Sequence, residues 1–137
     1  MKKHIVTKDQ LNDKNEYIGS VDLTDFDGAI EIEENIGTVK FSSLKASSYV
    51  FAKSGSGIEA GDGIEAGWGI EAGLGIKAGL GIKAGLSIHA KFVFTPLRIF
   101  VGLCMWKQPL KEEMQLVAEI RKGTLAYGEH VVPTKGE

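Results

Sequence analysis

Three histidines, one cysteine and a crowd of carboxylates are the side chains in these 137 residues that could do chemistry. His4, His89 and His130 lie far apart, and none has metal-ligand spacing with Cys104 or with an acid cluster. Neither a metal nor a cofactor is expected. A single cysteine forms no intrachain disulfide, and Cys104 sits in the apolar run "RIFVGLCMW", which predicts a buried structural thiol. The G-x-G-I steps lack the GK[ST] ending and the strand–loop–helix setting of a phosphate loop. His89 occupies a repeat position otherwise filled by Glu or Lys, so it reads as one more member of a charged ladder. These residues predict a protein that is not an enzyme.

The carboxylates remain. Asp22, Asp25, Asp27, Glu31, Glu33 and Glu34 crowd one short span, and Glu59, Asp62, Glu65 and Glu71 follow. Residues 1–73 carry 13 acids against 7 bases, whereas residues 74–137 carry 5 against 9. An acidic first half suits a basic protein partner. The chain has no polybasic stripe of the kind that would bind nucleic acid directly. A solvated face that keeps a glycine-rich chain soluble is the plainer use of these acids. The ten named residues are the candidate partner-binding set.

The elements that must position them are written in a repeat. From Gly55 to Ala90 the unit I-[E/K/H]-A-[G/K]-x-[G/S/V] recurs, with Ile58, Ile64, Ile70, Ile76, Ile82 and Ile88 at six-residue spacing. Six does not fit the helical period, and two glycines in six oppose a helix. Six does fit the two-residue period of strands, and frequent Gly marks bends. Ile, Ala and the variable residue x are expected to point the same way, with Trp68 and the leucines at x packing in the core or at the corners. Glycine tolerates the positive φ that a corner needs. Short strands with a corner at each unit predict a solenoid.

The charges set the number of units per turn. With three units, about 18 residues, Glu59 lies beside Lys77, Glu65 beside Lys83 and Glu71 beside His89 in neighbouring coils ~4.8 Å apart. With two units, Glu59 would meet Glu71. The three-unit coil is therefore predicted. The x residues then pair as Asp62/Leu80, Trp68/Leu86 and Leu74/Phe92.

Looser triplets of the same kind lie upstream at Val21–Leu23, Ile30–Ile32, Val39–Phe41 and Leu44–Ala46. The expected organisation is one domain, with an N-terminal leader over residues 1–20 that covers one coil end. A β-solenoid follows over residues 21–94, with its hexads at 55–90, and a mixed or β capping element over 95–137. The fold class is mainly all-β. Within the cap, Pro109 and the acids after it predict a helix start, Gln115–Arg121 a strand, and "KGTLAYGEHVV" a hairpin. The opening residues have no apolar signal-peptide core, and no apolar run reaches membrane-spanning length, which predicts a cytoplasmic protein without membrane contact.

The stretch "GSGIEAGDGIEAGWGIEAGLGIKAGLGIKAGLSI", with "LRIFVGLCMW", resembles short bacterial immunity proteins of contact-dependent growth-inhibition toxins. That resemblance implies a non-enzymatic inhibitor that binds one cognate toxin domain, a basic nuclease, and occludes its active site. One alternative is a phage-type anti-defence inhibitor that acts as an acidic mimic. Another is a relative of the hexapeptide-repeat acyltransferases, whose triangular left-handed β-helix the six-residue period is similar to. The unit departs from theirs in placing its small residue at i+2 rather than i+4, so no catalytic residue is carried over.

Overall fold

The computed structural model describes residues 2–104 and 107–132. Its strands are β1 (Lys3–Val6), β2 (Ala29–Ile32), β3 (Gly37–Phe41), β4 (Leu44–Ala46), β5 (Val50–Ala52), β6 (Ser56–Ala60), β7 (Ile64–Ala66), β8 (Ile70–Ala72), β9 (Ile76–Ala78), β10 (Ile82–Ala84), β11 (Ile88–Phe100), β12 (Gln115–Tyr127) and β13 (Glu129–Val131). Short 3₁₀ turns occupy Lys8–Gln10 and Lys111–Met114. The strand pairs are parallel, each strand lying beside the one a full turn later. The chain is a short β-solenoid with three faces.

The first face stacks β1, β2, β5, β8, the start of β11, the start of β12, and β13. The second stacks β3, β6, β9 and the middles of β11 and β12. The third stacks β4, β7, β10 and the ends of β11 and β12. In the regular coils the predicted 18-residue turn is present: Glu59 pairs with Lys77, Glu65 with Lys83 and Glu71 with His89.

A three-residue strand turns its first and third side chains inward. In the hexads these are Ile and Ala. All six repeat isoleucines are at most 1% exposed. Burying each contributes roughly 1.5–3 kcal/mol. The residue x does not point inward with them; of core or corner packing, it takes the corner. It sits at the corner apex, where Asp62 is exposed, Trp68 is 38% exposed and Leu80 is 50% exposed, with Leu74 and Leu86 half-buried. The corners still stack, through Leu80 N–H to Asp62 O and Leu86 N–H to Trp68 O, both 3.2 Å. Over Leu74, however, Lys91 takes the expected place of Phe92. The next turn is one residue shorter, with Ile76 beside Val93.

The hexad glycines have a different reason from the expected one. Among those of the repeat stretch only Gly55 has a positive φ. The others permit close stacking. A Cβ on Gly67, Gly79 or Gly85 would run into the carbonyl oxygen of Ser47, Gly61 or Gly67 one coil earlier. At Gly73 it would come within 2.7 Å of Lys53 O.

The solenoid is longer at both ends than the sequence suggests. It starts at β1 rather than near Val21, and Val21 lies in no strand. The rung beside β3 is supplied by Glu16, bridged to Lys40. Elsewhere in the leader Leu11 bridges Tyr17, and both side chains pack against the core. At the far end β11 runs unbroken across the expected boundary at residue 94, and β12 stacks along it. The strand expected at Gln115–Arg121 is present, preceded by a 3₁₀ turn where a helix start was expected. The expected hairpin is absent. β13 returns parallel to the start of β12, because Gly128, at φ 112°, turns the chain into another coil. Cys104, expected to be buried, is half-buried. Met105 and Trp106 of the apolar run lie outside the described residues.

Candidate functional site

Each face presents one row of outward side chains along the solenoid. The second-face row reads Glu16, Lys40, Glu59, Lys77, Phe94, Lys122. The third-face row reads Lys45, Glu65, Lys83, Phe100, Tyr127, with Asp25 beside Lys45. Both are ladders of alternating sign. Lys77 lies 4.0 Å from Glu59, Lys83 3.7 Å from Glu65, and Lys45 3.9 Å from Glu65 and 4.0 Å from Asp25. At its end the second-face ladder passes into a cation–π contact, with Phe94 between the ammonium groups of Lys77 and Lys122. Within these rows Lys45, Glu59, Glu65, Lys77 and Lys83 are each paired with an opposite charge on a neighbouring coil.

The first face breaks the pattern. Its row reads Ile5, Glu31, Phe51, Glu71, His89, Val117, Val131. An aromatic ring separates two carboxylates, and apolar side chains stand at both ends. Glu31 is nearly buried, at 8% exposure. The Tyr49 hydroxyl donates a 2.6 Å hydrogen bond to it, and Lys3 and Lys53 approach to 3.6 and 3.7 Å. The Tyr49 bond, then Lys3 and Lys53, hold the Glu31 carboxyl below the usual carboxylate range, against the opposing effect of burial. The same bond, with burial, pushes the Tyr49 phenol up.

Glu71 differs from the other glutamates of the hexads. Glu59 and Glu65 each have a lysine within 4.0 Å, whereas Glu71 has no ion pair among the described residues. Two cavities meet at Glu71 and His89. One, of about 420 Å³, is lined by Glu31, Tyr49, Phe51, Glu71, Ser87 and His89 among others. The other, of about 480 Å³, lies beyond the same pair toward Lys91 and Val117. Together they make a trench. From Glu31 to Val117 it crosses four rung spacings, about 19 Å at ~4.8 Å each.

The ten acids predicted as a partner-binding set do not share a surface. Those between Asp22 and Glu34 are spread from the third face across the first to the next corner, because 13 residues cover most of a coil of 18 to 20. Asp25 lies on the third face beside Lys45, and Glu31 on the first. Asp22 closes a local turn by accepting the Thr24 N–H at 2.9 Å and the Thr24 hydroxyl at 2.6 Å. Asp27 accepts a 3.0 Å bond from the Ser47 hydroxyl. Glu33 and Glu34 are exposed at a corner. Asp62 is at another corner, Glu59 and Glu65 are in the ladders, and Glu71 is in the trench. Asp25 and Glu65 meet across Lys45 on the third face, and only Glu31 and Glu71 line the trench.

Coil by coil, the charges alternate. Residues 37–54 carry Lys40, Lys45 and Lys53 and no acid; residues 55–73 carry Glu59, Asp62, Glu65 and Glu71 and no base; residues 74–91 carry Lys77, Lys83, His89 and Lys91 and no acid. The acids are chiefly partners for the neighbouring coil. Tyr49, Phe51 and Ser87 are the trench residues that the sequence reading missed. A signal was available: Val50-Phe51-Ala52 is an inward–outward–inward triplet whose middle residue, unlike those of the neighbouring triplets, is uncharged.

No family model matches the chain, and neither a curated protein nor a solved structure does. Among the described residues no group of three or more His, Cys, Asp or Glu is placed to hold a metal ion. No described helix is long and apolar enough to cross a membrane.

Proposed function

We propose that this chain is a non-enzymatic inhibitor, an immunity protein that binds one cognate toxin domain and covers its active site. The observation that carries this reading is the contrast between the faces. On two faces the hexad glutamates Glu59 and Glu65 are paired with lysines of the neighbouring coils. The first offers a trench about 19 Å long, with aromatic and apolar walls and a carboxylate without an ion-pair partner among the described residues. Such a mixture, apolar surface with a few placed polar groups, is what binding surfaces use. Trp68, exposed at the corner that leads into the strand of Glu71, adds a residue type enriched among interface hot spots. A basic toxin surface complements Glu71 at the centre of the trench.

The test is co-expression with the toxin domain of the neighbouring gene. The expected result is restored growth and a one-to-one complex of the purified proteins that abolishes toxin activity. Substituting Phe51→Asp should weaken that complex more than Glu59→Gln. Unrestored growth with both proteins present at equal levels would overturn the reading.

A further inference from the structure

The trench has a local hollow with a clear structural origin. Tyr49, Gly69, Ser87 and Gln115 form one row of the first face, since Val50 pairs with Ile70, Ile70 with Ile88 and Ile88 with Leu116. Tyr49 is large and the next two residues of that row are small. The chain therefore lacks a side chain above Gly69, and Tyr49 stands as a wall beside the gap. Phe51 and Glu71, adjacent in the outward row, stand along the neighbouring side. The result is the cavity of about 420 Å³, floored by Gly69 and Ile70.

The charges around it select the occupant. Glu31 is already satisfied by the Tyr49 hydroxyl at 2.6 Å and by Lys3 and Lys53. Its carboxylate does double duty as a brace, because it fixes the Tyr49 ring at the rim. Glu71 is exposed, and among the described residues it has no ion pair, so its carboxylate remains available. Two aromatic rings beside one available carboxylate make a site for an organic cation with an apolar stem. A guanidinium fits this chemistry better than an ammonium. It is planar, it stacks on aromatic faces, and it pairs with a carboxylate through two parallel hydrogen bonds. The size of the hollow falls within the range of ligand pockets.

We infer that the hollow between Tyr49, Phe51 and Glu71 receives an arginine side chain presented by the protein partner. This rests on the inhibitor reading for the source of the arginine, but the pocket is testable without any toxin. The probe is the capped tripeptide acetyl-Gly-Arg-Gly-amide. Its control is the same peptide with citrulline, which keeps the shape and loses the charge. Amide NMR shifts of the intact protein are followed during titration with each peptide.

The arginine peptide should give saturable shifts at Tyr49, Phe51, Ile70, Glu71 and His89, and the citrulline peptide a response at least about fivefold weaker. Glu71→Gln should weaken the arginine response about five- to tenfold, and Phe51→Leu about threefold, whereas Glu59→Gln should leave it unchanged. Equal binding of the citrulline peptide would overturn the inference, as would shifts at Glu59 and Glu65 as large as those at Glu71. Both comparisons use the wild-type protein and do not depend on a variant that folds. Arginine binding without growth rescue would retain the pocket and discard the toxin reading. Growth rescue without arginine binding would do the reverse.

Discussion

Glu65 is the best place to measure what the charge ladders contribute. It lies between two lysines on the third face, 3.9 Å from Lys45 and 3.7 Å from Lys83. Its side chain is about half exposed, at 43%, so each pair is worth only ~0.2–1 kcal/mol. Glu65→Gln removes both pairs and should cost about 0.4–2 kcal/mol. Glu65→Lys removes them and places three lysines on successive rungs. Opposed like charges destabilise by amounts similar to those by which opposite charges stabilise, so the total becomes about 1–4 kcal/mol. Urea unfolding at low salt should therefore rank wild type above Glu65→Gln, and Glu65→Gln above Glu65→Lys. At 1 M salt, with a Debye length of ~3 Å, the gap between the two variants should largely close. If Glu65→Lys proves as stable as Glu65→Gln at low salt, the ladder has no energetic role and the account of the charge alternation fails.

Two further outcomes follow from the coils. Gly79→Ala should destabilise by about 1–3 kcal/mol through collision with the Gly61 carbonyl, whereas Gly61→Ala, with its nearest neighbour at 3.5 Å, should be nearly neutral in the same thermal scan. Glu31, whose folded carboxyl is held below its ordinary value of 4.5, adds stability that is complete above that value and is lost as pH falls through the lower folded value. The stability difference between wild type and Glu31→Gln, followed by urea unfolding from pH 7 to pH 3, should therefore shrink with acid; a difference that stays constant would refute the assignment.

The architecture was legible because the six-residue unit carried two independent signals. Inward Ile and Ala repeat every six residues, which sets the corners. The sign of the residue between them reverses after three units, which sets the turn. Neither signal alone distinguishes two units from three. Outside the hexads the spacing loosens. Val39 meets Ile58, Leu44 meets Ile64, and Ile88 meets Leu116, so insertions hide the period just where the ends begin. That is why β1 and the full length of β11 and β12 were missed. The same loss of period explains the false hairpin, because a parallel return and an antiparallel one use the same turn residues.

The candidate site was less legible, for a reason inherent in solenoids. Residues about twenty apart in sequence are neighbours in space, and residues six apart lie on different faces. A run such as Asp22 to Glu34 reads as a cluster on the page but is spread around the circumference in the fold. Phe51, by contrast, reads as an isolated aromatic yet stands between Glu31 and Glu71. The correct unit of reading is the row, not the run. Read by rows, opposite charges cancel on two faces and leave the first face as the exception. The switch from Glu to Lys along the hexads then explains why Glu59 and Glu65 are paired within the solenoid itself. Glu71 is the informative one because its rung neighbours are Phe51 and His89 rather than lysine, which leaves its carboxylate without an ion pair among the described residues.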